Sequence, residues 1–227
     1  MNRIHASVCS LVRFGTLATI AACLATAPIG AAAQLSAHLT LQSQPGDFIG
    51  QGQTVDLQYT TPGAMTVTAQ IRRTLAGGEP GELLFVVDQN GPTNTFGLLF
   101  FGTDQLGIPI QPGTYGVPGN TAQRADFAQP GHPGLDVSFQ NRGSNTLTGN
   151  FTVNDVSFYL DAGNVKRIGS FDANFEQHSE GATPALFGRF TFNDSRRPSA
   201  AVPEPGSFAL LGGLAVPAAL LLRRRRA

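Results

Sequence analysis

The chain has 227 residues, the length of one or two domains. Hydrophobic residues make up 41% of it and charged residues only 13%, so it can bury a core and is not a disordered polyelectrolyte. Formal net charge is zero, yet residues 34–201 hold nine basic against fourteen acidic side chains, and a net acidic body argues against nucleic-acid binding.

The N-terminus reads as a secretory leader. Arg3 and Arg13 come before or at the start of an apolar run over residues 14–24, and Pro28 and Ala31-Ala32-Ala33 follow it. Charged, apolar and small-residue segments in that order mark a signal peptide, and the run is well short of the roughly 20 residues that span a bilayer. Cleavage is expected between Ala33 and Gln34, which makes residues 1–33 the leader. Ile20-Ala21-Ala22-Cys23 offers a rival, because it fits a lipobox in which Cys23 would carry lipid. The break at Pro28 and the small-residue site downstream favour ordinary cleavage. The two cysteines, Cys9 and Cys23, both fall in the leader, so the mature body is expected to hold no thiol and no disulfide.

From Gln34 onward the dominant period is two. Leu35, Ala37, Leu39 and Leu41 alternate with Ser36, His38, Thr40 and Gln42. Val55, Leu57 and Tyr59 alternate with Asp56 and Gln58, and Met65, Val67, Ala69 and Ile71 with Thr66, Thr68, Gln70 and Arg72. Successive strand side chains point to opposite faces, so these are half-buried strands. Continuous apolar runs at 83–87 and 98–101 read as strands covered on both sides. Further strands fit 135–139, 146–160, 165–176 and 185–193, with Asp161-Ala162-Gly163-Asn164 as a hairpin loop. The apolar phase slips at Asn154-Asp155, which places a β-bulge there. Gly-Pro punctuation separates the strands, at Pro45-Gly46, Pro80-Gly81 and Pro112-Gly113 among others, and no amphipathic helix is evident. The expected fold is all-β, a single antiparallel β-sandwich over residues 34–193. Sixteen phenylalanines and no tryptophan predict a Phe-rich core. Residues 194–202 read as an exposed linker.

Little in the body announces chemistry. Glu176, His178 and Glu180, spaced by two, would share one face of a strand and could hold a metal or form an acid–base pair at a candidate ligand site; a solvated strand end with an ion-paired histidine is the plainer reading. Asp47, Gln51 and Gln53 in a Gly-rich loop offer polar groups to sugar hydroxyls, or form an ordinary polar loop. No nucleophile elbow, phosphate loop or zinc cysteine cluster occurs, so neither metal nor cofactor is expected. The segments Pro45-Gly46-Asp47-Phe48-Ile49-Gly50-Gln51-Gly52-Gln53, Pro112-Gly113-Thr114-Tyr115, Pro133-Gly134-Leu135-Asp136-Val137 and Phe175-Glu176-Gln177-His178 resemble a family of uncharacterised bacterial secreted proteins. That resemblance implies one cysteine after an Arg-Gly pair and another after Glu-Gln-His. This chain has Ser144 and Ser179 at those places. The joint departure implies that the two serines stand where a disulfide would be and lie close together; a bridge needs β-carbons about 3.5–4.5 Å apart.

The C-terminus is the most specific part of the sequence. Val202-Pro203-Glu204-Pro205-Gly206-Ser207 leads into an uncharged stretch, 208–222, and then into Arg223, Arg224, Arg225 and Arg226. At 1.5 Å rise per residue that stretch makes about 22 Å of helix against about 30 Å of hydrocarbon, a deficit that bilayer thinning accommodates. The arginines should stay cytoplasmic, leaving the body outside the inner membrane, in agreement with the leader. Pro203-Glu204-Pro205, the span 207–222 and the basic terminus closely resemble the PEP-CTERM sorting signal of Gram-negative bacteria. The resemblance covers residues 202–227. It implies recognition by exosortase, a membrane-embedded cysteine transpeptidase-like enzyme, removal of the tail near Pro-Glu-Pro, and an association with exopolysaccharide production. A permanent single-span anchor is the alternative. The expected function is therefore that of a non-enzymatic envelope or matrix protein. It would pass the secretion machinery, be held transiently at the inner membrane, and finish at the cell surface or in the extracellular matrix. A secreted glycan hydrolase using Glu176 and Glu180, and a membrane-anchored periplasmic binding module, are the competing readings.

Overall fold

The computed structural model describes residues 35–59, 66–89 and 95–196. The expected leader with its Ala33–Gln34 cleavage point, the sorting motif, the span 207–222 and the arginine cluster lie outside the described residues. Among the described residues no helix is long and apolar enough to cross a membrane.

The chain is all-β. In order it forms β1 (Leu35–Ser43), β2 (Thr54–Tyr59), β3 (Thr66–Thr74), β4 (Pro80–Gln89), β5 (Thr95–Gly102), β6 (Gly113–Tyr115), β7 (Gln123–Arg124), β8 (Gly134–Phe139), β9 (Leu147–Leu160), β10 (Lys166–Ser179) and β11 (Leu186–Asp194). Two sheets result, one in the order β2-β1-β11-β10-β9-β6 and one in the order β3-β4-β5-β8-β7. Each strand expected from period two is present. The sequence reading missed β6 and β7, only three and two residues long. It also requires a correction: β7 runs parallel to β8, so the second sheet is mixed rather than purely antiparallel. The phase slip is a bulge, since Asn154 on β9 has no partner between the pairs Asp155–Asp172 and Val153–Ala173.

The two sheets face each other through aromatic side chains. Phe85 of β4 lies 4.9 Å from Phe171 of β10 and 4.8 Å from Phe190 of β11. Phe101 of β5 lies 5.0 Å from Phe171 and 5.4 Å from Phe151 of β9. All five rings are essentially inaccessible to solvent. Each contributes about 2–3 kcal/mol by burial, with about 1 kcal/mol more per well-placed pair. On β11, Gly188 stands opposite Phe175 and a β-carbon there would collide with its ring, so the glycine admits the aromatic into the core.

A second tie between the sheets is polar. β7 pairs with β8 only at Gly134 and Leu135. Beyond it, Gln177 of β10 crosses the core and takes the place of a strand. Its Oε1 accepts the Val137 N–H at 2.8 Å and its Nε2 donates to the Val137 carbonyl at 2.9 Å. Gln177 is 0% exposed, so these bonds satisfy backbone groups that water cannot reach. β1 and β11 are neighbours, with Leu35 opposite Asp194. The body therefore begins and ends at one place. The ordered chain also continues past the expected start of the linker, because Asp194 is the last residue of β11 and Arg196 folds back onto it.

Candidate functional site

The outer face of the first sheet carries a register of polar side chains that the sequence could not align. One row crosses all six strands: Asp56, Thr40, Arg189, Asn174, Thr152 and Thr114. The adjacent row reads Thr54, Gln42, Phe187, Glu176 and Asn150. Strands repeat at about 4.8 Å and same-face residues at about 7 Å, so the rows form a flat lattice of hydroxyl, amide and carboxylate groups. Phe187, 36% exposed, is the aromatic within them. It borders a shallow depression of about 550 Å³ that Gln42, Thr54, Asn174 and Arg189 also line. A second depression of about 310 Å³, lined by His38, Thr40, Arg189 and Thr191, adjoins it through Thr40 and Arg189.

The arginine of these rows is paired, and two acids on the face hydrogen-bond to histidines. Arg189 donates through Nε and Nη2 to the two oxygens of Asp172 at 3.0 and 2.8 Å, which holds that carboxyl below the usual carboxylate range. His38 Nε2 sits 2.8 Å from Asp56 Oδ1. His178 Nε2 sits 2.9 Å from Glu176 Oε1, while its Nδ1 lies 3.0 Å from the Ala182 carbonyl. Both ring nitrogens thus lie within hydrogen-bond distance of an acceptor.

The proposed grouping of Glu176, His178 and Glu180 is only half assembled. Glu176 and His178 share the outer face as period two requires, and Asn150 donates to the second oxygen of Glu176. Strand β10 stops at Ser179, and Glu180 adopts a left-handed φ of 54°. Its carboxylate turns to the neighbouring strand connection, where it accepts from the Asn145 N–H at 2.7 Å and the Thr146 hydroxyl at 2.8 Å. Those bonds, the hydroxyl's first, pull its pKa below the usual carboxylate range. Among the described residues no three His, Cys, Asp or Glu side chains are placed to hold a metal ion.

The first loop is likewise organised inward. Asp47 is buried and accepts from the Gly50 N–H at 2.7 Å and the Ser43 hydroxyl at 2.8 Å. It shapes the loop that presents Gln51 and Gln53, rather than being offered to a ligand. Ser144 and Ser179 do meet: their hydroxyls hydrogen-bond at 2.8 Å in a buried setting beside Gln177. In the hairpin 161–164, Asp161 Oδ1 accepts the N–H groups of Gly163 and Val165.

Two further features escaped the sequence. Arg72 and Arg73 of β3 both approach Glu82 of β4, at 3.2 Å each, and both also reach Asp126. Glu82 is 0% exposed, and burial pushes its pKa upward against the opposing pull of Arg73 and Arg72. The adjacent basic pair facing an acid across a hairpin was the available signal. The other feature is a cleft of about 610 Å³ lined by Leu35, Val67, Ile168, Phe192, Asp194 and Arg196.

Fold and face together define an all-β, two-sheet body with one broad polar surface. Compared with known proteins, the chain matches no family model, no curated protein and no solved structure.

Proposed function

We propose that the chain is an exported cell-envelope or extracellular-matrix protein with a structural or exopolysaccharide-associated role, and not an enzyme. The leader over residues 1–33 would carry it through the secretion machinery. The tail would then hold it at the inner membrane with its body in the periplasm, until exosortase acts at Pro203-Glu204-Pro205 and releases it toward the surface. The observation that carries this reading is the order of three features at the C-terminus: the Pro-Glu-Pro motif, the uncharged stretch 208–222 and Arg223, Arg224, Arg225 and Arg226.

The test is intact-mass measurement of the protein recovered from an exosortase-bearing host and from the same host lacking that enzyme. The expected product in the first begins at Gln34 and lacks residues 208–227. A released protein that keeps its four arginines overturns the reading, and a mass increment on Cys23 transfers the anchoring role to lipid.

A further inference from the structure

We propose that the outer face of the first sheet binds an extended, uncharged polysaccharide, with Phe187 as the stacking ring and Gln42, Thr54, Asn174 and Arg189 as its hydrogen-bonding frame. Sugar hydroxyls donate and accept equally. The frame offers the same mixture, since a threonine hydroxyl does both and each side-chain amide presents one acceptor and two donors. An aromatic flanked by a few directed polar groups is the pattern that recognises ligands with apolar and polar faces, as a pyranose ring has.

The lack of a free cation in the two rows selects the uncharged class. Arg189, the one cation in these rows, is engaged by both oxygens of Asp172, and Asp56 and Glu176 are acids. The face consequently offers a polyanion or an anionic lipid surface none of the clustered free cations that either would need. Its shape selects a polymer. The rows are open and about 24 Å wide across six strands, whereas small-molecule sites are concave and enclose most of the ligand. A second copy of this chain is a poor occupant, because sheets pack face to face through apolar side chains and these two rows contribute only Phe187.

The inference deepens the exopolysaccharide-associated reading and rests on it for the polymer's presence. The chemistry of the face stands apart from the tail. The experiment is co-sedimentation of the full chain, in mild detergent, with microcrystalline cellulose as the uncharged probe and with calcium-gelled alginate as the anionic one. The wild type is expected to sediment with cellulose, to keep doing so in high salt, and to leave alginate in competition unbound. Phe187→Ala should weaken retention about ten-fold and Phe187→Tyr should preserve it. Phe127→Ala, at a 63% exposed ring off this sheet, should change nothing. Circular dichroism of the alanine variants establishes that they fold. The proposal is overturned by no retention on cellulose, by equal retention of Phe187→Ala, by salt-sensitive binding to alginate alone, or by a dimer that Phe187→Ala dissociates. Tail processing is read separately by mass, so either idea can fail without the other.

Discussion

Gln177 and Glu82 are both 0% exposed, and they solve the problem of burying a polar group in opposite ways. The amide of Gln177 pairs with both backbone groups of Val137 and also donates toward Ser144. It is neutral, so burying it forfeits only hydrogen bonds to water, and these are replaced. Glu82 draws two guanidiniums, yet its Oε2 lacks a hydrogen bond even with Arg73 Nη1 at 3.2 Å. The carboxylate stays partly uncompensated and its pKa rises. A satisfied amide ties two sheets together, whereas a charged group in the same setting contributes little net stability.

The sharpest way to break this contrast is Gln177→Ala. It strands the Val137 N–H and C=O in the core, at about 1–3 kcal/mol per orphaned group, so a loss of about 3 kcal/mol is expected in urea unfolding. A loss below about 1 kcal/mol would show that water enters and that the clamp is dispensable. The same buried cluster offers a gain. Ser144→Cys with Ser179→Cys should form a disulfide closing a 35-residue separation, with up to about 3 kcal/mol of stabilisation that a reductant abolishes. Free thiols persisting after oxidation, by mass, would mean the hydroxyl contact does not carry disulfide geometry.

Asp194 sharpens the contrast from the side of charge. It too is buried, but it accepts from Tyr159 at 2.9 Å and from Arg196 Nε and Nη2 at 2.8 Å each. Burial pushes its carboxyl up, and these bonds outweigh burial and leave it below the usual range. A depressed acid contributes stability above its unfolded pKa of about 3.9 and loses it as pH falls through the lower folded value. Asp194→Asn should therefore cost about 2 kcal/mol at pH 7, and the gap to wild type should close below about pH 4.

These groups also mark how far the sequence could be read. Alternation assigns faces within a strand, so Leu39 inward and Thr40 outward were legible, as was the bulge at Asn154. Register between strands distant in sequence was not, so nothing aligned Thr40 with Arg189 and Asn174, or set β1 against β11. β6 and β7 are too short to show a period. Glu180 failed as a strand residue because its left-handed turn ends β10 one residue earlier. Glu82 precedes an apolar run that read as covered on both sides. In the structure Leu83, Phe85 and Val87 are buried, while Leu84 and Val86 remain half exposed on the outer side.

The smallest effect is expected at Glu82 itself. Replacing a buried partner of an ion pair usually strands the opposite charge, at a large cost. Here Arg72 and Arg73 are each about one-third exposed and both keep Asp126, so neither is stranded. Glu82→Gln also removes the desolvation that raises the carboxyl. Stability at pH 7 should change by less than about 1 kcal/mol. The pH dependence should run opposite to that of Asp194. An acid raised in the folded state supports folding below its unfolded pKa of about 4.3 and loses that support as pH rises through the folded value. Wild type should thus gain on Glu82→Gln as acid is added, while it loses ground to Asp194→Asn over the same interval. Urea midpoints of the three proteins at pH 4 and pH 7 decide it. A loss of several kcal/mol for Glu82→Gln at pH 7 would mean that the two arginines outweigh burial, and that the contrast with Gln177 is one of degree.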